Sequence, residues 1–170
     1  MRTRRAKLSD APAIHSLVAH YAAQGLLLPR TLEEIRSNIG HFIVQKDGRR
    51  VVSCLSLESY GADLAEIRSI AVDPEKRGQG LGARLIASAL NESSRRGIAR
   101  VFAVTHAPQF FERQGFATAA RQSLIEKIER DCRTCSQQRT CQLVAVIATV
   151  IPDRVALPIL SDSAAPVPAC

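Results

Sequence analysis

The sequence has no tryptophan and a single methionine, and only 4% of its 170 residues are aromatic. Proteins that hold single-stranded nucleic acid stack bases on aromatic side chains, and five phenylalanines and two tyrosines supply few such platforms. Basic residues outnumber acidic ones by 23 to 16, but they fall in short groups (Arg2, Arg4 and Arg5; Arg49 and Arg50; Arg95 and Arg96) rather than along one helix. Such dispersal reads as solvated surface, so no nucleic-acid partner is expected. Long apolar runs are missing too. The longest near the end, LVAVIATVI, falls far short of the roughly 20 residues that a membrane span needs. The opening MRTRRAKLSDAPAIHSL has no apolar stretch of signal-peptide length. A cytoplasmic protein with no membrane partner is expected. In that reducing setting the five cysteines are thiols or metal ligands before they are disulfides.

What is present suits one folded domain, with 46% hydrophobic and 23% charged residues. DAPAIHSLVAHYAAQG reads as a helix capped by Asp10 and stopped at Gly25, and TLEEIRSNI as a second, with Thr31 and Glu34 in capping-box spacing. HFIVQKDGRRVVSCLSLES is two strands joined at Asp47-Gly48, the strongest hairpin signal in the chain. DLAEIRSIAV is a third strand, followed by a glycine turn, a helix over 83–96, the strand VFAVT and the short helix PQFFERQGF. The predicted order is α-α-β-β-β-α-β-α, a mixed α/β (α+β) class. The domain is expected over 1–152, with 153–170 a flexible tail of small residues and prolines.

Three glycines crowd the mouth of the helix in KRGQGLGA, residues 76–83. Glycine is a poor helix former, so their presence needs a reason. A turn entering a helix exposes N–H groups at the positive end of the helix dipole, and without Cβ atoms an anion can reach them. Arg77 adds a cation at the lip. The Mg-nucleotide pattern G-x-x-x-x-G-K-[ST] is absent, and G-x-G-x-x-G fails because Leu85 stands three beyond Gly82. Close packing of helix on sheet would also explain glycines here. Both explanations stay open from spacing alone.

IAVDPEKRGQGLGARLIASAL resembles the acyl-CoA signature of the GNAT superfamily of N-acetyltransferases, with Arg77, Gly80 and Gly82 at its defined positions. PQFFERQGF resembles the helix after that superfamily's next strand. The resemblance implies a twisted, mostly antiparallel sheet, splayed between its fourth and fifth strands and flanked by helices. Acetyl-CoA would enter the opening, its diphosphate on the amides of Arg77, Gly78, Gln79, Gly80, Leu81, Gly82 and Ala83. The pantetheine arm would run beside Ile70, Ala71 and Val72, with sheet-like bonds to Ile70 and Val72. Phe111 stands where many relatives carry a tyrosine that protonates the leaving thiolate, so the cofactor would meet Phe111 without that donor. Thr105 is a weak substitute, and solvent is the other proton source for a leaving thiol that is already fairly acidic.

HYAAQGLLLPRTLEEI, DLAEIRSIAV and IERDCRTCSQQRTC together resemble the short, stand-alone N-acetylglutamate synthases of bacterial arginine biosynthesis. That likeness implies L-glutamate as acceptor and direct transfer in a ternary complex. Glu66, four residues before Ile70, is then the candidate base for the substrate ammonium, directly or through a water. Read without the resemblance, Glu66 is an ion-pair partner of Arg68, two residues along the same strand face. Arg30 is the first candidate for gripping a substrate carboxylate. Arg68, Ser69 and Lys127 follow it.

Cys132, Cys135 and Cys141 form C-x2-C-x5-C, three thiols where a structural zinc site wants four ligands, the fourth to come from Asp131, a distant His or water. Free thiols, a bound zinc and a redox-linked disulfide all fit that spacing. His15, His20, His41 and His106 are isolated in sequence and are expected to be ordinary helix or loop residues. Two rival functions remain: a GNAT enzyme acting on a peptide N-terminus or polyamine, and a non-catalytic acyl-CoA sensor. The sequence leaves a homodimer open.

Overall fold

Side-chain alternation along the strands decides the layers. In the computed structural model, which describes residues 1–135 and 141–151, seven strands form one sheet in the order β1-β2-β3-β4-β5-β7-β6. They are β1 (Arg2–Arg5), β2 (Phe42–Asp47), β3 (Arg50–Tyr60), β4 (Leu64–Val72), β5 (Arg100–Thr105), β6 (Ala117–Ala119) and β7 (Val144–Thr149). Every neighbouring pair is antiparallel except β4 and β5. Val44 and Cys54 turn to one face and join Ile14, Val18 and Tyr21 of helix α1 (Ala11–Ala22). Ile43, Leu55 and Ile67 turn to the other and meet Leu85, Ile86 and Ala89 of helix α3 (Leu81–Arg95). The short helices are α2 (Leu32–Ser37), α4 (Pro108–Glu112) and α5 (Ile125–Lys127), the last running into a π-turn over Ile128–Cys132.

The mixed, mostly antiparallel fold is the one expected, with the hairpin turning at Gly48 (φ 56°) and the capping box formed. Glu34 N–H donates to Thr31 Oγ1 at 3.1 Å, and Thr31 N–H to Glu34 Oε2 at 2.6 Å. Four expectations need correction. The strand β1 was not foreseen, because RTRR carries no apolar signal; it is an edge strand held by backbone pairing to β2. The LVAVIATVI run, weighed only against a membrane, supplies β7 between β5 and β6. Asp10 does not cap α1 with its side chain. It accepts instead from Lys7 N–H at 2.8 Å and pairs with Arg4 at 2.7 Å. Helix α3 starts at Leu81, two residues early, because Gly80 in the left-handed region serves as its N-cap. Among the described residues no helix is long and apolar enough to cross a membrane. The expected tail, 153–170, lies outside the described residues.

One buried acid ties the edge of the sheet to α3. Glu92, 5% exposed, takes guanidinium groups from Arg5 on β1, from Arg95 at 2.6 Å and from Arg96 at 2.7 Å. Burial pushes the Glu92 carboxyl up, but the bonds from Arg96 and Arg5 outweigh it and hold the group below its ordinary value of 4.5. A depressed carboxyl contributes stability above its unfolded value and loses it as pH falls through the folded one. Glu92→Gln should therefore cost about 1–3 kcal/mol at neutral pH, a loss of several degrees in Tm. The gap to the parent should narrow as the pH is lowered through 4.5. A gap that stays constant to pH 3 would contradict this account.

Candidate functional site

The two parallel strands pair only at Leu64↔Arg100, Ala65↔Val101 and Glu66↔Phe102. Beyond Glu66 they diverge. A β-bulge coincides with the divergence: Ser56 faces Arg68 and Cys54 faces Ala71, so two residues on β3 span three on β4. Ser69 sits in the bulge at φ 48°, the one described non-glycine residue with positive φ. A bulge bends and twists the strand that carries the extra residue. Ile67–Val72 thus stay bonded to β3 while the flank toward β5 opens.

The glycine turn stands beside this opening. Gly78 (φ 76°) and Gly80 (φ 71°) hold left-handed backbone, and a Cβ on either would meet nothing within 4 Å. These two are glycines for conformation. Gly82 has another reason, since its Cβ would lie 2.8 Å from the Phe110 ring. Close packing thus accounts for Gly82, against helix α4 rather than against the sheet. Arg84 N–H reaches Gly80 O at 3.1 Å, and the N–H groups just before it have no intrahelical acceptor. Arg77 is fixed by Tyr21, which accepts from its Nε at 3.1 Å and lies beneath the guanidinium. Arg84 donates to Gln79 O at 3.0 Å, so a second cation flanks the turn.

At the vertex of the opening Glu66 is buried, 1% exposed. It is ion-paired to Arg68, as the strand spacing allowed, and to Lys127 Nζ at 2.9 Å. The Tyr60 hydroxyl lies 2.8 Å from Glu66 Oε2 and also within reach of Asp131, and it accepts from Arg68. Asp131 in turn pairs with Arg68 and, at 3.0 Å, with Lys127 one helical turn away. Two carboxylates and two cations balance, as a buried cluster requires. Burial and the Glu66 charge hold the Tyr60 phenol far above its ordinary value. Burial works to raise the Asp131 carboxyl too, but its bonds to Tyr60 and Lys127 and the Arg68 charge hold it well below the usual carboxylate range. Arg130 covers the ring, 3.6 Å from its centroid, and donates to Ser59 O and Glu58.

A cavity of about 150 Å³ opens in front of Arg68 and Ser69. Arg30, Glu34, Asn38, Ser56 and Glu58 also line it. Arg30, Arg68 and Ser69 thus converge, whereas Lys127 stands behind them on Glu66. Among the described residues Arg30 closes no ion pair. Glu34 is held below its ordinary value first by the Thr31 N–H and, more weakly, by the Arg30 charge. His41 is not isolated: its Nδ1 lies 2.8 Å from Glu58 Oε2. A larger cavity of about 430 Å³ lies between β1 and α3, three strands from the opening, and its Arg5 and Arg95 are committed to Glu92.

Residues 38–118 match the acetyltransferase (GNAT) domain family. An uncharacterized N-acetyltransferase of Chlorobaculum tepidum is 35% identical over 147 residues, which cover 86% of this chain and 95% of that one. The chain belongs to the GNAT acetyltransferases. It is also 37% identical over 116 residues to an amino-acid acetyltransferase of Mycobacterium tuberculosis, covering 66% of each chain. The N-acetylglutamate synthase of Neisseria gonorrhoeae, solved with coenzyme A and N-acetyl-glutamate, superposes with a TM-score of 0.81 at 28% identity over 88% of this chain. This chain spans only 35% of that protein.

As a GNAT acetyltransferase the chain is an N-acetyltransferase with acetyl-CoA as donor. Ile70 packs on the α3 side of the sheet, and Ala71 is buried against α1. Thr105, at the end of β5, accepts from Ala107 N–H at 3.0 Å. Phe111 is buried in the core, edge-on to both Phe110 and Phe116. No group of three His, Cys, Asp or Glu side chains among the described residues could hold a metal. Cys141 instead accepts from Arg121 at 2.8 Å. Sequence reasoning missed Tyr21 and Tyr60, and took Asp131 only as a candidate metal ligand. Asp131 alone carried a signal, at helical spacing from Lys127. Gly82→Ala should lower Tm by several degrees through the Phe110 contact, and Phe110→Leu in the same chain should restore most of the loss. A Tm unchanged by Gly82→Ala would refute the steric explanation.

Proposed function

We propose that this GNAT acetyltransferase transfers the acetyl group of acetyl-CoA to the α-amine of L-glutamate, the entry step of arginine biosynthesis. One observation carries the choice of acceptor: the Arg30 guanidinium lines the cavity beside the strand opening without an ion-pair partner among the described residues. A guanidinium so disposed suits a substrate carboxylate and repels a polyamine. The cavity is well under the roughly 300–1,000 Å³ of drug-sized pockets, which favours a small acceptor over a peptide. The names of the similar amino-acid acetyltransferase and N-acetylglutamate synthase support the same reading.

In this proposal the diphosphate rests on the amides of the turn from Gly78 to Ala83, with Arg77 and Arg84 as flanking cations. The pantetheine bonds the open flank of β4 at Ile70 and Val72. Glutamate lays one carboxylate on Arg30 and the other toward Arg68 and Ser69. Arg68 closes Glu66 off from the cavity, so Glu66 removes the ammonium proton through a water rather than directly. The freed amine attacks the thioester carbon while the Ile70 N–H bonds the developing oxyanion. The C–S bond then breaks; the nitrogen gives its second proton to the Thr105 hydroxyl, and Thr105, which accepts at Ala107 and keeps its own hydrogen free, passes that hydrogen to the departing thiolate. Lys127 is a positioning residue that holds Glu66.

Thiol release measured with each of the twenty amino acids should give glutamate the highest kcat/KM. Another acceptor favoured tenfold would overturn the assignment. Arg30→Ala should raise the glutamate KM about 10–100-fold, as expected for a lost charged hydrogen bond, and leave the acetyl-CoA KM within about twofold. Glu66→Gln should lower kcat about 10²–10³-fold with little change in either KM. Gly80→Ala carries about 1–2 kcal/mol of backbone strain and should do the reverse of Arg30→Ala, raising the acetyl-CoA KM roughly tenfold. Equal effects on both substrates from either variant would contradict the division of the site.

A further inference from the structure

Acetyl transfer makes no use of the three clustered cysteines, yet two of them share a partner. Arg121, in the turn after β6, donates from Nη2 to Cys141 Sγ at 2.8 Å. The guanidinium is held above its ordinary value, first by that bond and also through Cys132. Cys141 Sγ thus bonds a cation that also interacts with Cys132, nine residues back. Both thiols are free and partly exposed. Cys54 differs, being fully buried with its thiol pushed up to about 12 by burial. The nucleophile toward a peroxide is the sulfur anion, and a guanidinium is a hydrogen-bonding counter-ion for it.

The position of Cys132 gives the pair a consequence. It closes the π-turn Ile128–Cys132 and directly follows Asp131. Asp131 is the carboxylate that bonds Tyr60, Arg68 and Lys127 behind the cavity. A disulfide between Cys132 and Cys141 acts on that turn, and through it on the adjacent Asp131 and its three partners.

We propose that Cys132 and Cys141 are a hydroperoxide-sensitive thiol pair whose disulfide disables the acceptor side of the site. One thiolate attacks a peroxide oxygen of ROOH; an S–O bond forms, the O–O bond breaks and ROH leaves after taking a proton. The second thiolate attacks the sulfenic sulfur; the S–S bond forms, the S–O bond breaks and hydroxide leaves as water after protonation. Two thiols lose two electrons in total, and the peroxide gains them. Asp131 then releases Arg68 and Lys127, and Glu66 loses its fixed position. The glycine turn lies on other elements and keeps its hold on the donor. The disulfide stands independently, but its effect on turnover rests on the acceptor reading given above.

The test treats the reduced full chain with hydrogen peroxide, blocks the remaining thiols and digests with trypsin. Arg133 and Arg139 separate Cys132, Cys135 and Cys141 onto three peptides, so mass spectrometry identifies the pair. A Cys132–Cys141 link is expected, with kcat/KM for the acceptor lowered at least tenfold, acetyl-CoA affinity within twofold, and recovery in dithiothreitol. Cys141→Ser and Cys141→Ala should keep their activity through the same treatment. A link through Cys135 or Cys170, no link, or a Cys132–Cys141 link with unchanged kinetics would each overturn the proposal. Failure of glutamate as acceptor would show in the reduced enzyme before any peroxide is added, and the link is read without an acceptor.

Discussion

Two parallel strands that pair for three residues and then part are the constraint on which the rest of the molecule depends. A continuous sheet would bond both flanks of β4 and leave nothing for a ligand. The bulge at Ser69 keeps β4 bonded to β3 while bending it away from β5. Three consequences follow from this one feature. The flank of Ile70 and Val72 is left unpaired by β5, Glu66 stands at the vertex, and Ser69 lines the Arg30 cavity. The positive φ of Ser69 is strain held in place by strands on a well-filled core.

The vertex is closed from behind by charge rather than by apolar packing. Glu66, Asp131, Arg68 and Lys127 neutralise one another around the Tyr60 hydroxyl, whose ring belongs to the core beside Phe102. Buried ions of this kind contribute little net stability, but removing one leaves its partners uncompensated. The cluster therefore fixes geometry. It attaches the short α5 and π-turn segment to β4, so the vertex depends on residues distant in sequence.

Local chemistry was legible in the sequence where the cause is itself local. The Asp47-Gly48 turn, the Thr31–Glu34 capping box and the left-handed glycines before α3 all follow from a few adjacent residues. The glycine turn led directly to the family. Strand β1 was hidden because its arginines are satisfied by tertiary partners, Asp10 and Glu92. Asp10 looked like a cap for the same reason: nothing local shows that Arg4 claims its carboxylate. Tyr60 and Asp131 meet across 71 positions. His41 and Glu58 pair only because β2 and β3 are brought side by side. Gly82 looked like part of an anion cradle, and only the approach of Phe110 reveals its packing role.

Amide hydrogen exchange with and without coenzyme A measures the strand opening most directly. The account predicts slower exchange in two places, the N–H groups of Ile70 and Val72 and those from Gly78 to Ala83, with the region around Arg30 unaffected until an acceptor is added. Protection confined to the larger cavity between β1 and α3, with β4 exchanging as before, would contradict it.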